Sequence, residues 1–214
     1  MSTKAEFAAT AKMPLSAQRE TVKSGGNARP EIAVPAKVTV FRAADAPLLS
    51  DVGCMEWEEL TPLMSDSLER LSAEGLGEGE HVQVLFNVPG FSLVYVWAKR
   101  DYPLPLHSHD SNCLYYIIAG SVRLGTQSLG RGDGFFLPSE TPYSYKVGPE
   151  GVEMLEFRNT THFNVKLMAN NPRFWEKAIE TVRREAPGWK SAKAPHLLEI
   201  TAKEVLGSDA TSQN

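Results

Sequence analysis

The sequence is poor in cysteine, in charge of one sign and in long hydrophobic runs. Its 214 residues include two cysteines, Cys54 and Cys113, too few for a disulfide framework. Lysine and arginine number 22 against 26 acidic residues, a formal net charge of -4, which argues against the broad basic surface that binds nucleic acid. No apolar run approaches the about 18 residues of a membrane span. We therefore expect neither a nucleic-acid nor a membrane partner.

Several functional signatures are also missing. There is no phosphate-binding glycine loop, no dinucleotide fingerprint, no Cys-x-x-Cys pair and no Gly-x-Ser-x-Gly elbow, which argues against nucleotide-driven and serine-hydrolase chemistry. A secretory signal needs an unbroken apolar stretch near the start, whereas Lys4, Glu6 and Lys12 interrupt this one. The expected location is the cytoplasm, a reducing compartment.

What is present is an ordinary globular composition, with 42% hydrophobic and 22% charged residues and frequent turn formers, 16 glycines and 14 prolines. Residues 1–36 are rich in small and polar residues and predict a flexible arm. Residues 37–170 predict a barrel preceded by a helical insertion, and residues 171–214 predict a C-terminal helix and tail.

The central region reads as closely spaced strands separated by turn residues. The runs are 82–87, 92–98, 114–118, 122–124, 134–137, 143–147, 152–157 and 163–168. Such a rhythm predicts an antiparallel sandwich or barrel. Ala119-Gly120 and Gly125-Thr126 stand where hairpin turns are expected, and residues 37–41 read as a further short strand.

Two helices carry recognisable start signals. Thr61-Pro62 and Asn171-Pro172 each pair an N-cap residue with proline at the first helical position. The second helix has an apolar stripe at helical spacing, and we expect it to end before Pro187-Gly188.

The triplet His107-Ser108-His109 is the most informative local feature. Side chains two apart on a strand share one face, so both imidazoles can meet one divalent ion. Alone, the pattern also fits two exposed loop histidines. The context that follows is a strand ending at Gly120, then Gly132-Asp133 and Pro138.

With these residues, the chain resembles the cupin superfamily over roughly residues 82 to 168. The first cupin motif has two histidines one residue apart, a glutamate, and a strand ending in glycine; the second has Gly-Asp, a proline and a histidine. The resemblance implies an all-β fold, a double-stranded β-helix (cupin) barrel, here with an N-terminal extension and a C-terminal helix. It also leads us to expect a homodimer.

Two of the four ligand positions that the resemblance implies are changed. Cys113 stands at the usual glutamate and Tyr143 at the usual second-motif histidine. One hypothesis keeps the metal on His107 and His109, with Tyr143 or water completing the shell and the Cys113 thiolate beside it. This arrangement resembles the thiol dioxygenases among the cupins. A second hypothesis recruits His162, which also fits a surface histidine.

The corresponding function is a metal-dependent small-molecule enzyme acting on an organic substrate. The candidates are a non-haem Fe(II) dioxygenase, an oxidoreductase, and a Lewis-acid lyase or isomerase. Fe(II) or Zn(II) are the expected ions, with Ni or Mn as alternatives. A different class stays open, a non-catalytic small-ligand-binding cupin without a metal. A further hypothesis is a redox-altered site in which Cys113 reacts with Tyr143 or with an oxidant.

Strand parity adds one more candidate. Glu156 and Arg158 lie at the end of a predicted strand, and being two residues apart they share one of its faces. If that face looks inward, Glu156 can serve as a general base and Arg158 as an anion clamp. The same pattern also fits an exposed ion pair. Tyr143, Cys113 and Glu156 are thus the predicted catalytic residues, and His107, His109, Tyr143 and His162 the predicted metal ligands.

Overall fold

The computed structural model describes residues 37–196. The predicted arm over residues 1–36 and the tail beyond residue 196 lie outside the described residues. Within the described part, no helix combines the length and the apolar character needed to cross a membrane.

Strands dominate the described chain. They are β1 (Met55–Trp57), β2 (Glu80–Val88), β3 (Phe91–Ala98), β4 (His107–Ser108), β5 (Cys113–Leu124), β6 (Gln127–Gly130), β7 (Gly134–Leu137), β8 (Tyr145–Arg158) and β9 (Phe163–Leu167). The helices are α1 (Leu49–Val52), α2 (Pro62–Ala73) and α3 (Pro172–Trp189), with 3-10 turns at Ala43–Asp45 and Leu76–Gly79.

Two sheets face each other. The larger runs β2-β3-β8-β5-β6 with β7 also paired to β5, and all its pairings are antiparallel. The smaller runs β1-β9-β4. The Arg158 guanidinium of the larger sheet lies 4.0 Å from the Phe163 ring centre of the smaller one, so the inner faces meet. The all-β barrel prediction is confirmed.

The two longest strands each join two of the predicted segments. Gly120 does not make a hairpin turn; it lies inside β5 with φ of 72°, beside a shift in the pairing register with β8. A Cβ at this position would collide with the Gly151 carbonyl, so the close approach requires glycine. The Gly125-Thr126 turn between β5 and β6 is present as predicted.

Helix α3 starts where the sequence predicts and ends later. The Asn171 side chain accepts a hydrogen bond from the Arg173 N–H at 3.0 Å, as an N-cap does. The helix continues through Pro187 to Trp189, because the indole of Trp189 is 2% exposed and donates to the Arg100 carbonyl at 2.9 Å. The apolar stripe of α3 packs on α2 in one core.

The predicted strand over residues 37–41 is wrong. The structure has no strand there, and Val38 and Val40 are 94% and 72% exposed. A short apolar run becomes a strand only when a neighbouring edge accepts it, and this run has no paired edge.

Candidate functional site

His107 is held in the barrel wall by backbone and ring contacts. Its N–H donates to the Tyr143 carbonyl (3.1 Å) and its carbonyl accepts from the Tyr143 N–H (2.9 Å), so the two residues are direct cross-strand neighbours. The Nδ1–H of the ring donates to the Pro105 carbonyl at 2.8 Å. Since a carbonyl only accepts, Nε2 keeps the lone pair.

His109 follows the end of β4 and is anchored in the same manner. Its Nδ1–H donates to the Asn164 carbonyl at 2.5 Å, and its ring meets the edge of the Phe163 ring with centres 5.4 Å apart. The His107 and His109 ring centres are 5.1 Å apart. The predicted adjacency of the two imidazoles is therefore present, although β4 itself ends at Ser108.

Burial keeps both imidazoles neutral. It lowers the pKa of His107 to about 4. It also lowers the pKa of His109, and the Arg158 cation acts in the same direction. A neutral imidazole with its Nδ1 bound to a backbone carbonyl is the form in which histidine ligates metals.

Tyr143 lies beside the pair, and its hydroxyl is engaged elsewhere. Its ring centre is 4.3 Å from that of His107. Its hydroxyl shares a 2.6 Å hydrogen bond with the Tyr115 hydroxyl, and burial raises the pKa of Tyr143. In this arrangement the group is a neutral phenol in a two-hydroxyl chain. Its role as a metal ligand stays a prediction.

Cys113 is buried on the inner face of β5, opposite Arg158 in register. Burial, and after it the Glu156 charge, raises the pKa of the Cys113 thiol to about 12. Without a bound ion Cys113 is therefore a neutral thiol at neutral pH, and its expected role as a thiolate beside a metal stays a prediction. The redox hypothesis for Cys113 and Tyr143 stays a prediction.

Glu156 and Arg158 do face inward. Arg158 Nη1 donates to Glu156 Oε2 at 2.6 Å, and the side chains are 1% and 13% exposed. The alternative interpretation, an exposed ion pair, is wrong for this reason. Arg158 Nε is buried and has no hydrogen-bond partner among residues 37–196, at a typical cost of about 1–3 kcal/mol for an unpaired buried donor.

His162 is not brought to the histidine pair. It is exposed just before β9, and its Nδ1 contacts the Thr161 hydroxyl at 3.0 Å. Its neighbour Phe163 is the residue that contacts His109. The segment before β9 leaves the His162 ring exposed, and its role as a metal ligand stays a prediction.

Two further residues belong to the site, and the sequence indicates only one of them. Tyr115 lies two positions beyond Cys113 on β5, and strand parity predicts that the two share a face. Asn164 supplies the carbonyl that orients His109. A backbone carbonyl has no side-chain signature, and no sequence signal identifies it.

The described residues provide two ligands of a metal site, the Nε2 atoms of His107 and His109, but not a complete set. Two neutral Nε2 atoms suit a divalent transition metal, and the carbonyl anchors hold them in the ligating tautomer. Among residues 37–196, however, no group of three or more His, Cys, Asp or Glu side chains is arranged to hold an ion. The residues therefore fit a two-histidine site whose other positions are open.

No protein-family profile and no curated protein matches the sequence, whereas solved structures do. An RmlC-like cupin from Shewanella frigidimarina NCIMB 400 is 22% identical, with 38% of this chain and 77% of that one covered and a TM-score of 0.36. The polyketide cyclase RemF from Streptomyces resistomycificus is 18% identical, with 49% and 84% covered and a TM-score of 0.41. The fold of this chain itself is the all-β barrel of two facing sheets.

A variant of oxalate decarboxylase from Bacillus subtilis is 23% identical to the chain. The match covers 39% of this chain and 26% of that protein, with a TM-score of 0.35, so the chain spans about a quarter of its length. Identities and TM-scores this low carry no argument about fold or activity. The facing sheets and the placement of the histidine pair are what support the resemblance to a cupin barrel.

Proposed function

We propose that the cupin barrel is a metal-dependent site for a small organic molecule, in which Nε2 of His107 and Nε2 of His109 hold a divalent ion. The single observation that carries the proposal is the matched anchoring of the two rings. Each Nδ1–H is bound to a backbone carbonyl, so both rings offer their lone pair from centres 5.1 Å apart. Fe(II) or Zn(II) fits two imidazole nitrogens, and Ni or Mn is the alternative.

When bound, such an ion polarises a substrate carbonyl or carboxylate, or supplies redox chemistry. The chain's own residues supply proton transfer. The Tyr143 and Tyr115 hydroxyls form a two-member relay beside His107, and Glu156 is a carboxylate base positioned by Arg158. The Tyr115 and Phe135 rings are stacked, with centres 4.5 Å apart.

These acid–base groups suit a Lewis-acid lyase or isomerase. A non-haem Fe(II) dioxygenase would use the same two histidines, and retention of a redox-inactive ion such as Zn(II) would argue against it. An oxidoreductase requires a redox-active ion, whereas a lyase or isomerase functions with Zn(II).

A second candidate, a metal-free ligand-binding cupin, is favoured by a different observation. The described residues offer two neutral nitrogen donors and no third ligand in position, and the Arg158 cation is buried in the same interior. A positive charge in a site of low dielectric opposes a second one. In this case the barrel binds its ligand without catalysing a reaction.

The deciding experiment is elemental analysis of tag-free protein, as purified and after loading with Fe(II) or Zn(II). We expect about one equivalent of metal per chain, and less than about a tenth of an equivalent in His107→Ala. The matched control His162→Ala should retain the metal, because that ring is exposed. Circular dichroism verifies that each variant is folded.

The result also separates the two candidates. Loaded wild-type protein below about a tenth of an equivalent would refute the metal role and leave the binding protein. Loss of metal in both variants would place His162 in the ligand set after all.

A further inference from the structure

The buried arginine of the barrel is only partly used by the protein. Arg158 ends β8 and is placed opposite Cys113 and Ser92. Its side chain is 1% exposed, and its guanidinium carbon is 4.0 Å from the Phe163 ring centre. Phe163 in turn contacts the ring of His109, so the cation adjoins the histidine pair through one shared aromatic ring.

The guanidinium has two edges suited to a planar carboxylate, and Glu156 does not fill them. The group carries five N–H donors in a rigid fork. Glu156 Oε2 accepts from Nη1, which leaves the side-on edge formed by Nε and Nη2. Nε has no acceptor among the described residues. Because buried arginine donors are normally all paired, an unpaired one indicates a missing partner.

The balance of charge inside the barrel also favours binding of an anion. Glu156 and Arg158 form an ion pair whose charges balance. A divalent ion on the two histidines would therefore leave the interior strongly positive, because imidazole ligates a metal as a neutral group. An oxyanion beside Arg158 would reduce that excess in a site of low dielectric.

We propose that the ligand of this barrel carries a carboxylate, which the Nε/Nη2 edge of Arg158 binds. The inference deepens the proposed function and rests on the barrel being a small-molecule site, with or without the ion. A planar carboxylate matches two parallel N–H donors on one guanidinium edge. Arg158 is therefore a specificity residue that selects small carboxylic acids over neutral compounds of the same shape.

The test uses full-length, 15N-labelled protein freed of metal by a chelator, with acetate as the probe. Acetamide is the neutral probe of the same shape. We expect the Nε–H resonance of Arg158, assigned by its loss in Arg158→Lys, to shift saturably with acetate and not with acetamide. The Nε–H of the exposed Arg183, which donates to Glu74, is the internal control and should not move.

A second variant tests the competition between Glu156 and the ligand. Glu156→Gln removes the carboxylate that shares the guanidinium, so acetate should bind more tightly, by about tenfold. A purely structural ion pair predicts no acetate binding to the wild-type protein. Acetate binding to Glu156→Gln alone would show acetate in the place of the Glu156 carboxylate and would count against the inference. Calorimetric titration of acetate into the wild type gives an answer even if Arg158→Lys does not fold.

The outcomes separate this inference from the metal proposal. An Arg158 resonance that ignores acetate, or responds equally to acetamide, overturns the carboxylate inference whether or not the protein retains metal. A saturable, acetate-specific shift in metal-free protein supports it, even if elemental analysis refutes the ion on His107 and His109.

Discussion

Asn164 holds the chain around His109 in place through several contacts. Its carbonyl orients the His109 ring. Its side-chain oxygen accepts from the Asp110 N–H at 2.8 Å, and its side-chain amide donates to Glu58 at 2.6 Å. One asparagine on β9 thus links the end of β4 to the segment after β1.

Asn164→Ala should remove the two side-chain bonds while leaving the backbone bond to His109. Because polar partners lose their bonds in a partly buried setting, we expect the free energy of unfolding to fall by about 1–3 kcal/mol. Urea denaturation measures it. The control is Asn170→Ala, an exposed position where the change should stay within about 0.5 kcal/mol. Equal losses in both variants would contradict the bracing role.

The residues of the site differ in how clearly the sequence predicts their positions. The spacing of His107 and His109 indicates two rings on one face, and the parity of Glu156 and Arg158 indicates a shared side. Neither pattern says whether that side is inner or outer. The burial of Arg158 and the exposure of His162 depend on the smaller sheet, whose strands β1 and β4 lie far away in the sequence.

The boundaries of whole strands were likewise not predictable from local sequence. The segments around Gly120 were expected to be two strands with a turn, since Ala-Gly resembles a hairpin signal. Instead Gly120 provides an irregularity inside β5 that lets β8 approach closely. Contact with the partner strand β8 determines whether Gly120 forms a turn or a bulge, so local sequence propensity does not predict which one forms.

Helix α3 is tied to the barrel by a buried carboxylate. Glu185 is 6% exposed. It accepts from Arg184 Nε at 2.8 Å and from Arg100 Nη2 at 2.6 Å. Arg184, and with it Arg100, holds the pKa of Glu185 below 4.5, against the opposing effect of burial. Arg100 lies two residues beyond the end of β3. Its hydrogen bond with Glu185 therefore joins the barrel to α3.

Glu185→Gln should therefore destabilise the protein in a pH-dependent way. A carboxyl whose pKa is depressed by folding contributes stability above about 4.5, and loses that contribution as the pH falls through its folded pKa. Since both arginines are more than half exposed, we expect a loss of about 1 kcal/mol at pH 7. The difference from wild type should shrink below pH 4.5.

Urea denaturation across this pH range measures the effect. Glu176→Gln, at an exposed position of the same helix, is the matched control and should stay within about 0.5 kcal/mol of wild type at every pH. A constant gap between Glu185→Gln and wild type down to pH 3 would show that packing rather than charge is responsible.

The outer face of the larger sheet carries an exposed apolar patch, defined here as Phe91, Leu114, Tyr116 and Phe136, which are 41–57% exposed. Leu114 and Phe136 are paired neighbours on β5 and β7. The rings of Phe91 and Phe157 continue the patch, with centres 6.3 Å apart. Apolar patches of this kind commonly mark protein contacts.

The homodimer that the cupin resemblance implies would bury this patch against a second copy of the chain. Light scattering after size exclusion should give twice the chain mass for wild type. The double variant Leu114→Lys with Phe136→Lys should give one chain mass, because buried lysines cannot be solvated. Val38→Lys, at a position that is 94% exposed, is the control and should stay dimeric.

Two results would contradict this prediction. A monomeric wild type would refute the homodimer, and a double variant that stays dimeric would place the contact elsewhere on the molecule.

The pattern of alternating residues, the turn formers and the two cap signals were enough to indicate an all-β barrel with a helix after it, because they act over a few neighbouring residues. The histidine spacing was enough to place two rings together. Contacts between distant segments determined which side chains became buried, where α3 stopped, and that the Asn164 carbonyl orients the His109 ring. Those features follow from packing the sheets and α3 against one another, and short-range patterns carry no information about that packing.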